Sequence, residues 1–143
     1  MARANVRPYR PDDEASVVAL WSACGLVVPQ NDPKRDIERK LRVNPDWFLV
    51  GDIAGEVVAT CIVGYEGHRG WINYLAVAPA HQRRGLATQL VREAERRLRQ
   101  VGCPKINLQV RAANTAVIDF YKALGFLADD VVSLGKRLEP DQP

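Results

Sequence analysis

The sequence predicts a mixed α/β domain, in which helices flank a central sheet of antiparallel and parallel strands. Three strand-like segments follow one another along the chain: WFLVGDI, EVVATCIVGYE and WINYLAV. Only short glycine-containing turns separate them, which favours an antiparallel meander. The apolar period then becomes helical over residues 86–98, and the strand-like KINLQV follows. A strand, a helix and a further strand require a crossover, so we expect that pair of strands to be parallel.

The other elements follow from local signals. NVRPY is predicted to be a short first strand, and VVSLGKRL a last one. Three segments have helical spacing with capping residues or glycine stops: PDDEASVVALWSACG, NDPKRDIERKLRVNP and NTAVIDFYKALGF. The irregular GLVVPQNDP between the first two helices is expected to supply ligand contacts. Residues 139–143 are expected to form a frayed tail.

Composition limits the class of protein. A length of 143 residues fits one domain spanning 1–143. The three cysteines lie far apart and form no Cys-x-x-Cys pair, so we expect neither disulfides nor a metal site. The chain shows neither an apolar run of membrane-spanning length nor an N-terminal apolar core, which predicts a cytoplasmic protein without membrane contact.

A net charge of +3 is too small to indicate nucleic acid by itself. Six arginines lie between residues 83 and 99, but Glu93 with Arg97 and Glu95 with Arg99 have the spacing of ion pairs on one helix. The helix also lacks interleaved aromatic residues for base stacking. We therefore interpret it as a solvated face and expect no nucleic-acid partner.

The turn before this helix has the chemistry of an anion site. The first N–H groups of a helix lack intrahelical partners, and the helix dipole adds positive character there. Gly85 and the small Ala87 allow the backbone to approach a pyrophosphate, and Arg83 and Arg84 add positive charge. Neither a P-loop nor a dinucleotide-binding glycine pattern is present.

This turn, QRRGLA, resembles the Gln/Arg-x-x-Gly-x-Gly/Ala signature of the GNAT superfamily of acyl-CoA-dependent N-acyltransferases. The order of predicted elements resembles that superfamily over nearly the whole chain. Within it, the segments NDPKRDIERK, GYEGHRG and VSLGK are similar to the small bacterial YpeA-like branch.

The resemblance implies a bound acetyl-CoA and a set of site residues. Leu75, Ala76 and Val77 would lie along the pantetheine arm and pair with its amides. The pyrophosphate would lie in the signature turn, formed by Gln82, Arg83, Arg84, Gly85, Leu86, Ala87 and Thr88. Asn114 resembles the family's pantetheine-contacting asparagine. Tyr121, two helical turns further on, resembles the tyrosine that protonates the departing thiolate, with no metal in the reaction.

The general base is less defined. Relatives that acetylate ribosomal-protein N-termini carry a glutamate where this strand has Gln109, and an amide is not a useful proton acceptor. From chain position we select Glu66 as the candidate base, with His68 as a second candidate. Asn73 or Tyr74 would hold a water.

The expected activity is therefore transfer of an acetyl group from acetyl-CoA to a primary amine by direct attack. The alternative is a non-catalytic acyl-CoA sensor on the same fold, which would need the phosphate turn but no Tyr121 acid. The amine, the acyl length and the oligomeric state, monomer or homodimer, stay open.

Overall fold

The computed structural model describes residues 3–141 and contains one five-stranded sheet in the order β1-β2-β3-β4-β5. The strands are β1 Asn5–Pro8, β2 Phe48–Ile53, β3 Glu56–Tyr65, β4 Gly70–Val77 and β5 Ile106–Asn107. The first four strands pair antiparallel and β5 joins β4 in parallel. The predicted meander and crossover are both confirmed.

Four α-helices cover the two faces of the sheet. They are α1 Glu14–Ala23, α2 Pro33–Val43, α3 Leu86–Gln100 and α4 Thr115–Ala123. One core lies between the sheet and helices α3 and α4, and a second lies between the sheet and helices α1 and α2. Each core buries one stripe of each amphipathic helix, which is why the helical periods in the sequence are visible.

The parallel pair is short. Gly70 pairs with Ile106 and Trp71 with Asn107, and no register between β4 and β5 continues beyond them within the described chain. The remaining six residues of β4, from Ile72 to Val77, therefore diverge from β5. This divergence opens a cleft between two neighbouring strands.

A β-bulge interrupts β4 inside the diverging part. Thr60 of β3 lies opposite Ala76, and Ile62 lies opposite Asn73, so Tyr74 and Leu75 have no partner residue in this register. Tyr74 has φ +51, in the left-handed region. The extra residue reverses the alternation of side chains, because two residues now oppose one.

The burial of the β4 side chains shows that their alternation is reversed at the bulge. Ile72 lies in the core under α3, and so do Leu75 and Val77, whereas Tyr74 and Ala76 contact the core under α1. In an uninterrupted strand, residues 72, 74 and 76 would share one face.

Two predictions for the C-terminal part of the sheet are wrong. The strand expected over KINLQV is limited to Ile106–Asn107, and residues 131–138 form no strand. The latter segment is exposed, with Leu134 90% accessible, so it has no buried face that would fix a register. Side-chain bonds connect this region to β5: Lys105 and Asn107 to Asp129, and Gln109 to Ser133.

The expectation of a frayed tail from residue 139 also fails at Asp141. Its side chain is fully inaccessible. Oδ2 accepts the backbone N–H of Asp32 at 2.8 Å, and Oδ1 accepts Nη2 of Arg39 at 2.6 Å. These bonds attach Asp141 to the N-cap and the middle of α2, and the last two residues of the predicted tail, 142 and 143, lie outside the described residues.

Candidate active site

The divergence of β4 and β5 forms a cleft of about 710 Å³. The α1–α2 loop and helix α2 form one wall, the segment 108–111 after β5 and helix α4 form the other, and the bulge of β4 lies between them. Its lining includes Leu26, Val28, Asn31, Asp36, Lys40, Asn73, Tyr74, Leu75, Gln109, Arg111, Asn114, Val117 and Tyr121. The cleft thus brings together Leu75, Asn114 and Tyr121, which are far apart in the sequence.

The signature turn follows β4 and its short 3-10 helix Pro79–His81. Gly85 is the N-cap of α3 with φ +82, and no side chain caps this helix end. Arg83 also has a positive φ, +63. Glycine adopts this conformation without a Cβ clash, and a helix start without a side-chain cap is the kind of place where an anion can bind.

The side chains of the turn divide into two groups. Leu86 is buried in the core and anchors α3, whereas Arg83 and Arg84 are exposed. Gln82 Nε2 donates to the carbonyl of Val77 at 2.9 Å, which connects the turn to the end of β4. Two exposed arginines and a helix start without a side-chain cap give this turn a positive character.

A buried network holds the left-handed Tyr74. The Trp21 ring stacks on the Tyr74 ring with centroids 3.8 Å apart. Thr60 Oγ1 accepts Trp21 Nε1–H at 2.9 Å and donates to the Tyr74 carbonyl at 2.8 Å. The Tyr74 hydroxyl donates to Asp36 Oδ2 at 2.6 Å. The network offsets the cost of a left-handed non-glycine residue, about 1–3 kcal/mol, and fixes the bulge.

Tyr121 lies on the opposite wall. It is 7% accessible, and the rings of Phe120 and Phe126 contact it edge-on at centroid distances of 5.1 and 5.4 Å. Burial raises the pKa of its phenol well above the ordinary value, with a smaller contribution from Cys61. The group therefore keeps its proton through neutral pH, as a general acid must.

Asn114 begins the helix that carries Tyr121. Its Oδ1 accepts the N–H of Val117 at 3.4 Å, which caps α4, and the residue stays exposed at the cleft. The predicted N-cap is confirmed.

Glu66 does not line the cleft. It lies in the β3–β4 hairpin, where its Oε1 accepts the backbone N–H groups of His68 and Arg69. These bonds, that to Arg69 first, hold the pKa of Glu66 below its ordinary value. The structure gives Glu66 a role in closing the hairpin, and it does not place Glu66 or His68 beside Tyr121.

Of the two ion pairs expected on helix α3, one forms. Glu93 contacts Arg97 at 2.7 Å and also Arg96, but Glu95 pairs with Arg92 at 2.7 Å rather than with Arg99. Arg92 lies three residues before Glu95 on the same face of the helix, and this spacing also brings two side chains into contact.

The sequence did not predict the three residues that hold Tyr74: Trp21, Thr60 and Asp36, of which Asp36 lines the cleft. One signal was available, because Ile72 and the pair Leu75 and Val77 are apolar in opposite phases of a strand, which indicates a bulge between them. Nothing in the sequence pairs Asp36 with Tyr74.

Within residues 3–141, no three His, Cys, Asp or Glu side chains are grouped as metal ligands would be. Over the same residues, none of the helices combines the length and apolarity needed to cross a membrane.

The fold has a central mixed sheet, two diverging strands, and the signature turn before a helix that lacks a side-chain cap. These features are those of the acyltransferases expected from the signature. Comparison supports this class. The sequence model described as the acetyltransferase (GNAT) family matches residues 15–126, and the chain belongs to that family.

Sequence relatives carry the same activity in their names. An acetyltransferase of Sodalis glossinidius is 50% identical over 138 residues, covering 96% of this chain and 97% of the relative. A Yersinia pestis protein named as an uncharacterized N-acetyltransferase is 44% identical over 137 residues, covering 96% and 97%. The chain is an acetyltransferase of this family.

Solved structures share the fold. Ard1 from Thermoplasma volcanium superposes with a TM-score of 0.75 at 22% identity, covering 88% of this chain and 84% of that one. AAC(6')-Iy, solved with the bisubstrate analogue CoA-S-monomethyl-acetylneamine, superposes with a TM-score of 0.75 at 18% identity, covering 95% and 99%. At these identities the likeness establishes the fold.

Proposed function

We propose that this protein transfers the acetyl group of acetyl-CoA to a primary amine that attacks the thioester directly. The observation that carries the proposal is the cleft itself: β4 diverges from β5 at a bulge, with the anion turn after one strand and Tyr121 on the opposite wall. A thioester that carries a long polar arm and a pyrophosphate has its chemical groups in the same order as these features.

The cofactor would bind along the diverging edge of β4. Backbone groups of Leu75, Ala76 and Val77 would pair with the pantetheine amides, as a peptide adds to a sheet edge. The pyrophosphate would accept N–H groups at the start of α3, from Gly85 to Thr88, with Arg83 and Arg84 beside it and Gln82 fixing the turn to β4. Asn114 would contact the arm from the other wall.

The bulge supplies the electrostatic element of the reaction. Leu75 has no Cα partner in the register of β4 with β3 or with β5, and in this proposal its N–H would donate to the thioester carbonyl oxygen. A fixed donor at this oxygen stabilises the negative charge that develops as the amine attacks.

The step balances without a further reagent. The amine nitrogen bonds to the carbonyl carbon, the C–S bond breaks, and the electron pair leaves with the CoA sulfur. An amine that enters as an ammonium first releases one proton to water in the cleft, since only a neutral nitrogen can attack. The phenol of Tyr121 then donates a proton to the departing thiolate. The nitrogen, positively charged after attack, releases its second proton to water, and the phenolate regains a proton from water. Gln109 lines the cleft but accepts no proton, and Glu66 is held in the hairpin, so neither enters this proposal as the base.

The main competitor is a sensor that binds acyl-CoA without turnover. A sensor requires the anion turn but has no use for a phenol buried against the thioester position. The enclosed Tyr121 therefore favours transfer.

Calorimetric titration with acetyl-CoA, CoA and 3′-dephospho-CoA, followed by thiol release with a set of primary amines, tests the proposal. We expect acetyl-CoA binding that weakens in Arg84→Ala, and amine-dependent thiol release. A folded protein that binds acetyl-CoA but releases no thiol with any amine would be a sensor, and one that does not bind acetyl-CoA would refute both functions.

A further inference from the structure

We propose that Asp36 receives the positive charge of the acceptor, so that this enzyme selects amines that enter the cleft as cations. The inference rests on the proposed function, because it concerns the acceptor side of the same cleft. It assigns the specificity of the reaction to a carboxylate on α2.

Asp36 is the one carboxylate among the residues that line the cleft in the described chain. Its side chain is 25% accessible, so it is desolvated in part but open to a ligand. Alkylamines are protonated at neutral pH, and a cation that enters a partly dry cleft needs a compensating anion. Asp36 is the lining group that meets this need.

The position of Asp36 is fixed before any acceptor binds. Oδ2 accepts the Tyr74 hydroxyl at 2.6 Å, and Oδ1 accepts Nη1 of Arg39 at 3.1 Å. A carboxylate has about four lone-pair positions, so these two bonds leave capacity for an ammonium. Because Tyr74 directly precedes Leu75, the same contact connects the acceptor site to the amide that faces the thioester.

The neighbouring charges leave Asp36 available. Arg39 makes its shorter bond, 2.6 Å, with the buried Asp141, and Arg137 lies 3.8 Å from the same carboxylate. The ammonium of Lys40, one turn further along α2, donates a hydrogen bond to the Val63 carbonyl. Arg39 is thus shared between Asp36 and Asp141, and the Lys40 ammonium is engaged by a backbone carbonyl, so Asp36 has no cation to itself.

Arg111 lies on the other side of the cleft. It lines the cleft from the segment that follows β5, and its backbone carbonyl accepts the Asn114 N–H. A positive charge at that wall would further direct an incoming ammonium towards Asp36.

The test compares two kinds of acceptor in one enzyme. Butylamine is a cation at neutral pH, whereas acetohydrazide is a neutral nucleophile. We measure kcat and KM for both with the wild type, Asp36→Asn, Tyr74→Phe and Glu38→Gln, together with acetyl-CoA affinity and thermal midpoint. Glu38→Gln removes a charge from the same helix at an exposed position outside the cleft lining.

Asp36→Asn keeps a carbonyl oxygen that accepts the Tyr74 hydroxyl but removes the charge. We expect kcat/KM for butylamine to fall about tenfold or more, mainly through KM, since a bond to a charged group is lost. For acetohydrazide we expect a change below about twofold, and acetyl-CoA affinity should hold. Tyr74→Phe should keep the wild-type ratio of butylamine to acetohydrazide, and Glu38→Gln should match the wild type.

An equal fall for both acceptors in Asp36→Asn would mean that Asp36 only supports the bulge, and would overturn the inference. So would an unchanged butylamine KM, or a wild type that binds acetyl-CoA but acetylates no cationic amine. A wild type that fails to bind acetyl-CoA would instead refute the proposed function.

Discussion

The Tyr74 hydroxyl donates to Asp36 Oδ2 at 2.6 Å and thereby joins the bulge of β4 to helix α2. The two residues are 38 positions apart, and the contact connects the wall proposed to receive the acceptor with the strand proposed to bind the cofactor. The Trp21 ring and the Thr60 hydroxyl hold Tyr74 from the other side. The bulge is therefore fixed by tertiary contacts.

Thr60→Val should slow the reaction through the bulge. The substitution keeps the shape but leaves the Tyr74 carbonyl and the Trp21 indole N–H without their buried partner, at a cost of about 2 kcal/mol in the free energy of unfolding. We expect kcat to fall about tenfold, because the Leu75 amide loses its alignment, with acetyl-CoA affinity nearly unchanged. Steady-state kinetics and urea unfolding measure both effects.

Thr60→Ser is the matched control, since it keeps the hydroxyl. It should retain most of the activity that Thr60→Val loses. Equal kcat values in Thr60→Val and the wild type would separate the bulge from catalysis.

Tyr121→Phe should lower kcat by about a hundredfold or more, the usual range for a general acid, and leave acetyl-CoA affinity within about twofold. The ring packing against Phe120 and Phe126 is kept, so only the hydroxyl is lost. Tyr65→Phe, at the exposed hairpin, is the control. A parallel loss of kcat and of affinity would indicate packing.

The pH profile adds a second readout for Tyr121. Burial raises the phenol pKa, so the acid form persists as pH rises past the ordinary value near 10, and its contribution is lost only above that. A decline of kcat between pH 7 and 9 that disappears in Tyr121→Phe would contradict this assignment.

Gly85→Val should abolish measurable acetyl-CoA binding. A side chain at φ +82 costs about 1–2 kcal/mol and shifts the first turn of α3, where the pyrophosphate would bind. Gly55→Val has a comparable φ of +87 in the β2–β3 hairpin, with no atom within 4 Å of the added Cβ. It should lose similar stability but keep binding. If calorimetry shows equal affinity in both variants, the anion turn is not the phosphate site.

Asp141→Asn should destabilise the protein in a pH-dependent way. Bonds from Arg39 and then from the Asp32 N–H hold the Asp141 pKa at about 2 instead of 3.8. A carboxyl whose pKa is depressed by folding contributes stability above its unfolded pKa and loses it as pH falls through the folded pKa. The difference in urea midpoint between wild type and variant should be full above pH 4 and shrink towards pH 2.

Glu139→Gln controls for charge at the same end of the chain. Its urea midpoint should follow that of the wild type at each pH. A difference for Asp141→Asn that does not change between pH 5 and pH 2 would contradict the ion pair.

Much of the fold follows from local patterns. The meander, the crossover through α3 and the N-cap Asn114 are each encoded within a few residues, by alternation, by helical period or by a capping side chain. The signature turn was likewise visible, because Gly85 and the two arginines before it are adjacent in the chain.

The wrong predictions have a common cause, because the structure of these segments depends on contacts with residues that are distant in the sequence. The segment VVSLGKRL has strand-like composition but finds no buried face, whereas Asp141 is fixed by Arg39 and Asp32, about a hundred positions earlier. The role of Glu66 as a base stays a prediction, and its bonds to the hairpin amides depend on how the β3–β4 turn folds. The contact of Asp36 with Tyr74 likewise depends on how α2 packs on the sheet.

A crystal structure of the wild type with acetyl-CoA would test the central claim most directly. We predict that the thioester carbonyl oxygen accepts the Leu75 N–H within hydrogen-bond distance, with the pyrophosphate at the start of α3 and the sulfur facing the Tyr121 hydroxyl. Acetyl-CoA bound outside the cleft between β4 and β5, or with its thioester away from the bulge, would contradict the account.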